Sequence, residues 1–246
     1  MKRCYMCGGE YDERFVETPC PDCGKIYGKP ETNLTALVRE DKVFLDTIKS
    51  LDIPKEYTNN IWTRDVLEKD KTEDKGLRNF QAFTEQLERI HSIFAQGLIP
   101  SKSALIIAPI SYSKVTWAYS CMQYAVQHEL SVAPMLDTVE LKRLFLLSSE
   151  KPNFKMFGLT YEDYIEKDIC FVTVTKSDYV GNSWQTILDI LDKRSRKGLP
   201  TFIISRYGVD AISRWDYDGQ FKTLLEQGGT RNYLKYPAII SYSKTI

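Results

Sequence analysis

SALIIAPISYSKVTWAYSCMQYAV, residues 103–126, begins with a short apolar run and continues through a turn into a helical pattern. The run Ser103–Ala108 is typical of a strand that is buried on both faces of a parallel sheet. Val115–His128 has the length and composition of a helix. A buried strand that leads directly into a helix is the repeating unit of α/β folds, and we therefore predict that class.

The same alternation extends on both sides of this segment. The predicted helices are Leu77–Leu98, Val139–Leu147 and Asn182–Arg196. The predicted strands are Ser131–Leu136, Asp168–Val174, Thr201–Ser205 and, as a last edge strand, Ala238–Tyr242. Strands that alternate with helices in this way predict a parallel sheet flanked by helices.

The chain divides by composition into three regions. Residues 1–30 are rich in Cys, Gly, Pro and charge and have too few large apolar residues for a core of their own. Residues 31–75 form a helical linker region, with one or two short helices over Thr32–Leu51 and a charged, solvated loop over Asp65–Lys75. Residues 76–246 form the α/β domain.

Four cysteines at the N-terminus have the spacing of a zinc ribbon. Cys4 and Cys7 form one CxxC pair, and Cys20 and Cys23 form a second pair after twelve intervening residues. Two such pairs can surround one zinc ion tetrahedrally, and a closed shell of four thiolates is structural rather than catalytic. Free thiols or a redox pair are the alternative, but redox motifs seldom come as two matched pairs followed by glycines.

Charge and hydropathy narrow the possible partners. Lys and Arg total 33 and Asp and Glu total 33, so any contact with DNA must come from a local patch. No apolar run is long enough to cross a bilayer, and no secretory signal is apparent, so we expect a cytoplasmic protein without a membrane partner. The cations and aromatic residues around the cysteines suit single-stranded nucleic acid or a protein groove, although they could also simply decorate the module.

Three segments carry a resemblance to a known family. They are Ile53–Tyr57 (IPKEY), the stretch 103–126, and SWQTILDILDKRSRKGLPTFIIS at 183–205, in which Arg194 and Gly198–Thr201 are the most specific part. In order and spacing the chain resembles the DnaC/DnaI-type helicase loaders of the AAA+ ATPases from about Leu51 onward. The resemblance implies a P-loop-like nucleotide site, a replicative DnaB-type helicase as partner, contact with single-stranded DNA, and either homo- or hetero-oligomers.

The nucleotide site departs from the family pattern. A working P-loop reads GxxxxGK[ST], whereas the equivalent window here is APISYSKV, residues 108–115. Both glycines are absent, Tyr112 is bulky, and Val115 replaces the hydroxyl that would hold magnesium. Ser113, Lys114 and Thr116 are the remaining candidate nucleotide-binding residues. Lys114 either binds a phosphate beside the following helix or is a surface lysine on a retained turn.

The acidic and sensor positions are also changed. The strand that ends at Val174 continues into Thr175–Lys176 where the family has paired aspartates, and Asp178 comes late. Arg206 stands where the family has an asparagine. Because phosphoryl transfer depends on such positioning and charge, the sequence predicts slow or absent ATP hydrolysis and no catalytic residue.

Several interpretations remain open at this stage. Arg194, Arg196 and Lys197 are predicted to be solvated charges at a helix end, with DNA phosphates or a neighbouring subunit as the alternative. His91 and His128 lie on separate helices and predict no catalytic pair. The leading hypothesis is a replication accessory protein of the helicase-loader type, and its departures suit a virus or mobile element. An ATPase with an unorthodox loop, or an adaptor that sequesters replication proteins, are the alternatives.

Overall fold

The computed structural model describes residues 2–3, 10–11, 42–58, 62, 77–100, 102–108, 114–174, 180–208, 211–212, 214 and 238–241. The strands are β1 (Lys2–Arg3), β2 (Glu10–Tyr11), β3 (Ala104–Ile107), β4 (Leu136–Asp137), β5 (Cys170–Val174), β6 (Thr201–Ser205) and β7 (Ala238–Ser241). The helices are α1 (Lys42–Ser50), α2 (Lys55–Thr58), α3 (Leu77–Ala95), α4 (Lys114–Gln127), α5 (Thr138–Glu150), α6 (Tyr161–Glu166) and α7 (Val180–Arg196).

Five strands form one parallel sheet in the order β4-β5-β6-β3-β7. The apolar run of β3 lies between β6 and β7, with Ala104 opposite both Phe202 and Ala238. This position explains why β3 has no polar residue, because a central strand of a parallel sheet is covered on both faces. The predicted α/β class, a parallel sheet flanked by helices, is confirmed, as is the edge position of the C-terminal strand.

Alternate residues of each strand serve two separate cores. Ala104 and Ile106 of β3 pack with residues from α3 and α4, whereas Leu105 and Ile107 face residues from α5, α6 and α7. The first core is centred on aromatic rings, with Phe171 stacked on Phe202 at 5.0 Å between ring centroids. The two-residue period of the strands therefore places one helical layer on each side of the sheet.

Part of the predicted linker region packs as core. Ile48, Leu51 and Trp62 are each at most 5% exposed and belong to the first core cluster. Tyr57, in α2, stacks on Tyr119 of α4 with 4.9 Å between the ring centroids. Trp62 in turn lies edge-on to His91 of α3, so these contacts attach the described part of residues 42–62 to both α3 and α4.

The predicted strand Ser131–Leu136 is wrong in its bounds. Val132 makes only an isolated bridge to Ile169, and the regular strand β4 begins at Leu136 and extends to Asp137. Pro134 lies between these two contacts and has no amide hydrogen to donate to a ladder. The proline therefore divides the segment, and the pairing with β5 resumes after it.

Helix α6 is absent from the sequence-based prediction. Its start carries a capping box, in which Thr160 Oγ1 accepts from the Asp163 amide and the Asp163 carboxylate accepts from the Thr160 amide. The spacing Thr-x-x-Asp is the local signal that predicts such a start. Helix α5 begins in the same way, with Asp137 and Glu140 as the reciprocal pair.

The N-terminal region is described only at β1 and β2, which pair in antiparallel fashion with Lys2 opposite Tyr11. The four predicted zinc ligands Cys4, Cys7, Cys20 and Cys23 lie outside the described residues. Within the described ranges, no group of three or more His, Cys, Asp or Glu side chains could hold a metal ion. Nor does any helix there have the length and apolar character needed to span a membrane.

His91 of α3 is buried against α4, and we expect it to make the stability of the fold depend on pH. Its Nε2 lies 2.8 Å from Ser120 Oγ, and burial lowers its pKa from 6.5 to about 4. The unfolded chain therefore binds more protons between these values, so stability present above pH 6.5 should be lost as the pH falls toward 4. The lowering of the His91 pKa corresponds to a loss of about 3 kcal/mol in the free energy of unfolding when the pH falls below both values.

This loss can be measured by urea denaturation at pH 7 and pH 4.5 in the wild type and two variants. His91→Gln should show a smaller decrease in the free energy of unfolding than the wild type. The control His128→Gln, which changes an exposed histidine on α4's C-terminal side, should retain the full decrease. Equal decreases in all three proteins would show that His91 does not cause the pH dependence.

Candidate anion site at the carboxyl edge of the sheet

The carboxyl ends of β3 and β6 meet at the place where the chain changes direction across the sheet. The connection after β3 leads to β4 on one side, and the connection after β6 leads to β7 on the other side of β3. The amide of Ala108 donates to the carbonyl of Ser205 at 3.1 Å, which holds the two strand ends together. Such a switch point is where open parallel sheets usually bind ligands.

Lys114 is the first residue of α4 and lies at this edge. Its side chain is only 6% exposed, and its pKa is lowered from 10.5 to about 8, first by burial and then by the charge of Arg206. The charged form of a lysine that is buried beside a second cation is destabilised, and a nearby anion stabilises it. The helix N-terminus adds partial positive charge at the same place. The edge is therefore electropositive.

Arg206 follows β6 directly and is held by its neighbours. The Ser205 hydroxyl donates to the Tyr207 carbonyl at 3.0 Å and accepts from the Tyr207 amide at 2.9 Å. The guanidinium of Arg206 donates to the Tyr207 hydroxyl at 2.7 Å and lies 4.9 Å from the centre of its ring. An exposed, oriented cation thus stands where the family pattern has an asparagine.

The one carboxylate at the end of a described sheet strand is already engaged. Asp137 ends β4, and its Oδ1 accepts from the amides of Val139 and Glu140, each at 2.8 Å. Glu140 in turn accepts from the amide of Asp137 at 2.9 Å. These bonds begin α5, so Asp137 Oδ1 serves as the cap of this helix.

The other predicted site residues have mixed outcomes. Thr116 lies in the first turn of α4 and is partly buried, close in sequence to Lys114. Ser113 lies outside the described residues, as do Lys176 and Asp178 after β5. The two histidines have different partners: His91 Nε2 lies 2.8 Å from Ser120 Oγ, and His128 Nε2 lies 3.1 Å from the Ala95 carbonyl.

The prediction that Arg194 is solvated is wrong, and so is its alternative of a contact with DNA. Its side chain is fully buried, and its guanidinium donates to Thr201 Oγ1 and to four carbonyls over 2.6–3.2 Å. The four carbonyls belong to Ile165, Lys167, Asp168 and Pro200. Arg194 therefore joins the end of α7 to the start of β6, six to seven residues later, and to the approach to β5, 26–29 residues earlier.

Its two basic neighbours are exposed and paired with acids. Arg196 forms an ion pair with Asp192 one helical turn earlier, and Lys197 Nζ lies 2.8 Å from Glu166 Oε1. Both carry more than 40% of their side-chain surface exposed. The prediction of solvated charges is thus confirmed for these two residues.

The Ile53–Tyr57 segment is attached to the helix that begins with Lys114. Gln123 Nε2 of α4 donates to the carbonyl of Tyr57 at 2.9 Å, next to the stacked pair Tyr57–Tyr119. Burial raises the pKa of Tyr119 to about 12, so this phenol is neutral at physiological pH. The fold thus brings together two of the three segments on which the family resemblance depends.

Solved structures that resemble the chain include two replication proteins. The chain is similar over 80% of its length to 98% of the chain in a crystal structure of DnaI, with 14% identity and a TM-score of 0.45. It is also similar over 76% of its length to 53% of a replication initiator DnaA bound to AMPPCP and single-stranded DNA, with 11% identity and a TM-score of 0.39. No family model and no curated protein matches the chain. In the described residues, the helix that begins with Lys114 follows β3, an interior strand of the parallel sheet.

Proposed function

We propose that this protein is a helicase-loader-like accessory of DNA replication, which acts in the cytoplasm without hydrolysing ATP. It binds a replicative helicase of the DnaB type and helps to place it on single-stranded DNA. The observation that carries the proposal is the electropositive edge at Lys114 and Arg206, which lies where the resemblance to helicase loaders implies a nucleotide site and whose two described cations suit a phosphate.

The chemistry of this edge favours binding without turnover. Lys114, Arg206 and the N-terminus of α4 would each attract a bound phosphate electrostatically. Hydrolysis needs in addition a magnesium ion and a carboxylate that orients water, and the carboxylate at the end of β4 is engaged in capping α5. Any phosphate held here should therefore bind with little dependence on magnesium.

The parts of the chain that resemble helicase loaders are also mechanically joined. The Ile53–Tyr57 segment contacts α4, and Arg194 fixes α7 and β6 to the approach to β5. Retention of this scaffold without the P-loop residues supports a role in assembly rather than in catalysis. A protein that assembles other proteins needs a rigid fold and surfaces for contact, and it does not need a conformational change driven by nucleotide hydrolysis.

The zinc ribbon completes the proposal on the basis of cysteine spacing. Cys4, Cys7, Cys20 and Cys23 would hold one structural zinc ion as thiolates, and the surrounding cations and aromatic residues would contact the helicase or DNA. The ion supplies folding free energy to this small module and takes no part in any reaction.

The proposal can be tested with the purified chain, the replicative helicase of its own host and closed circular single-stranded DNA. The chain should increase the amount of helicase that co-sediments with the circle, and the increase should persist with a non-hydrolysable ATP analogue. The variant Lys197→Ala, which alters an exposed lysine outside the electropositive edge, should load the helicase as the wild type does. Absence of a complex with the helicase, or loading that requires ATP hydrolysis by this chain, would refute the proposal.

A further inference from the structure

A buried serine holds the bend that the chain makes where β6 ends. Ser205 is 1% exposed and is paired in the sheet with Ile107 of β3 on one side and Val174 of β5 on the other. Its hydroxyl donates to the Tyr207 carbonyl and accepts from the Tyr207 amide. A serine that bonds the backbone two residues later fixes the conformation of the residue between them. The position of Arg206 at the strand end is therefore set by Ser205.

The side chain of Arg206 is held in turn by Tyr207. The guanidinium donates to the Tyr207 hydroxyl at 2.7 Å, and its central carbon lies 4.9 Å from the centre of the ring. Tyr207 packs against the core beneath α5, α6 and α7, so its ring is fixed by the body of the fold. An arginine that is already held loses less conformational freedom when a ligand binds to it.

This arrangement keeps two cations close to one another. The charge of Arg206 helps to lower the pKa of Lys114 to about 8, after the larger effect of burial. Repulsion between like charges would move an untethered arginine away from Lys114. The contacts that Ser205 and Tyr207 make oppose this repulsion, and a bound anion would relieve it. The strand end is therefore organised for an anion before the anion arrives.

We infer that Ser205 and Tyr207 are positioning residues of the candidate anion site, which hold the Arg206 guanidinium beside Lys114 so that both cations bind one phosphate group. This inference deepens the proposed function and rests on it, because the electropositive edge carries that proposal. A guanidinium has several N–H donors in a planar fork, and the contact with the Tyr207 hydroxyl needs only one of them. The fork therefore suits the oxygens of a phosphate, which arginine binds through two donors at once.

Tyr207→Phe separates positioning from stability, because it removes the hydroxyl that accepts from Arg206 and keeps the packed ring. The full chain is titrated with inorganic phosphate at pH 7 and followed by NMR. The pKa of Lys114 is read, without phosphate, from the pH dependence of its Cε signal. In Tyr207→Phe and in Ser205→Ala the affinity for phosphate should fall about threefold to tenfold. The pKa of Lys114 should rise from about 8 in both variants, because Arg206 is no longer held beside it.

Two controls show whether these residues act through Arg206. In the Arg206→Gln background, Tyr207→Phe should cause no further change in the phosphate affinity or in the Lys114 pKa. Tyr161→Phe removes a tyrosine hydroxyl that donates to Asp189 of α7 instead. This variant should match the wild type in both measurements.

The outcomes distinguish this inference from the proposed function. If the wild type binds phosphate, and Tyr207→Phe and Ser205→Ala bind it equally well with an unchanged Lys114 pKa, the positioning role is refuted and the proposed function stands. Effects of Tyr207→Phe that persist in the Arg206→Gln background also refute the positioning role, because they do not act through the guanidinium. If the wild type does not bind phosphate, the anion site fails and the proposed function loses the observation that carries it.

Discussion

Replacing Arg194 with methionine should lower the free energy of unfolding by about 3–5 kcal/mol. The guanidinium is fully buried and donates to four carbonyls and one hydroxyl, so its removal leaves several acceptors without a donor. Methionine fills a similar volume, and the loss therefore reports the hydrogen bonds rather than a cavity. Arg194→Lys should also be destabilised, because one ammonium cannot reproduce the planar fork.

The matched control is Arg196→Met, two residues later on the same helix. Arg196 is exposed and paired only with Asp192, so this variant should change stability by no more than about 0.5 kcal/mol. Urea denaturation at pH 7 compares the two variants under identical conditions. A loss below about 1 kcal/mol for Arg194→Met would mean that the carbonyls find water when the guanidinium is gone.

Trp117→Ala should cost about 3–5 kcal/mol of unfolding free energy. Trp117 is fully buried in α4, and its ring lies edge-on to Phe171 and Phe202 with centroid distances of 6.0 and 6.3 Å. Its Nε1 donates to the Leu87 carbonyl of α3 at 3.0 Å. The residue therefore ties the helix that begins at Lys114 to both the sheet and its neighbouring helix.

Thermal and urea unfolding of Trp117→Ala should be compared with those of Leu146→Ala. Leu146 is 46% exposed on α5, so its truncation should change stability by at most about 0.5 kcal/mol. Comparable losses in the two variants would contradict the arrangement of the first core. A small loss for Trp117→Ala alone would indicate that α3 and α4 collapse into the space left by the ring.

The sheet was predictable because its strands are local signals. Ser103–Ala108 and Thr201–Ser205 are short apolar runs bounded by Gly, Pro or polar residues, and both form strands close to the predicted bounds. Their pairing was less accessible, since parallel neighbours such as β3 and β6 are almost one hundred residues apart in the chain. The strand near Pro134 was misplaced because an apolar run gives no indication of where pairing is interrupted.

Arg194 shows the limit of local sequence patterns most clearly. A basic residue near the end of a helix is usually solvated, and its two neighbours Arg196 and Lys197 behave in this way. The acceptors that bury Arg194 come from residues 165–168 and 200–201, and carbonyls leave no mark in a sequence. Only the spacing of Arg194 relative to Pro200 and Thr201, noted in the resemblance to helicase loaders, indicated a special position.

The sequence identified the residues of the candidate anion site, but it did not show that their charges influence one another. Lys114 was identified from its place after the first core strand, and Arg206 from the asparagine it replaces. Their influence on each other follows from the pairing of β3 with β6, which brings the two strand ends together. The engagement of Asp137 in a helix cap likewise depends on where α5 begins.

ATP turnover by the purified chain, measured with and without magnesium and in the presence of its helicase partner and single-stranded DNA, tests the central claim most directly. We predict that no turnover attributable to this chain occurs, and that any nucleotide binding changes little when magnesium is removed. Turnover that requires magnesium and disappears in Lys114→Ala, while the helicase alone is unchanged, would contradict the account.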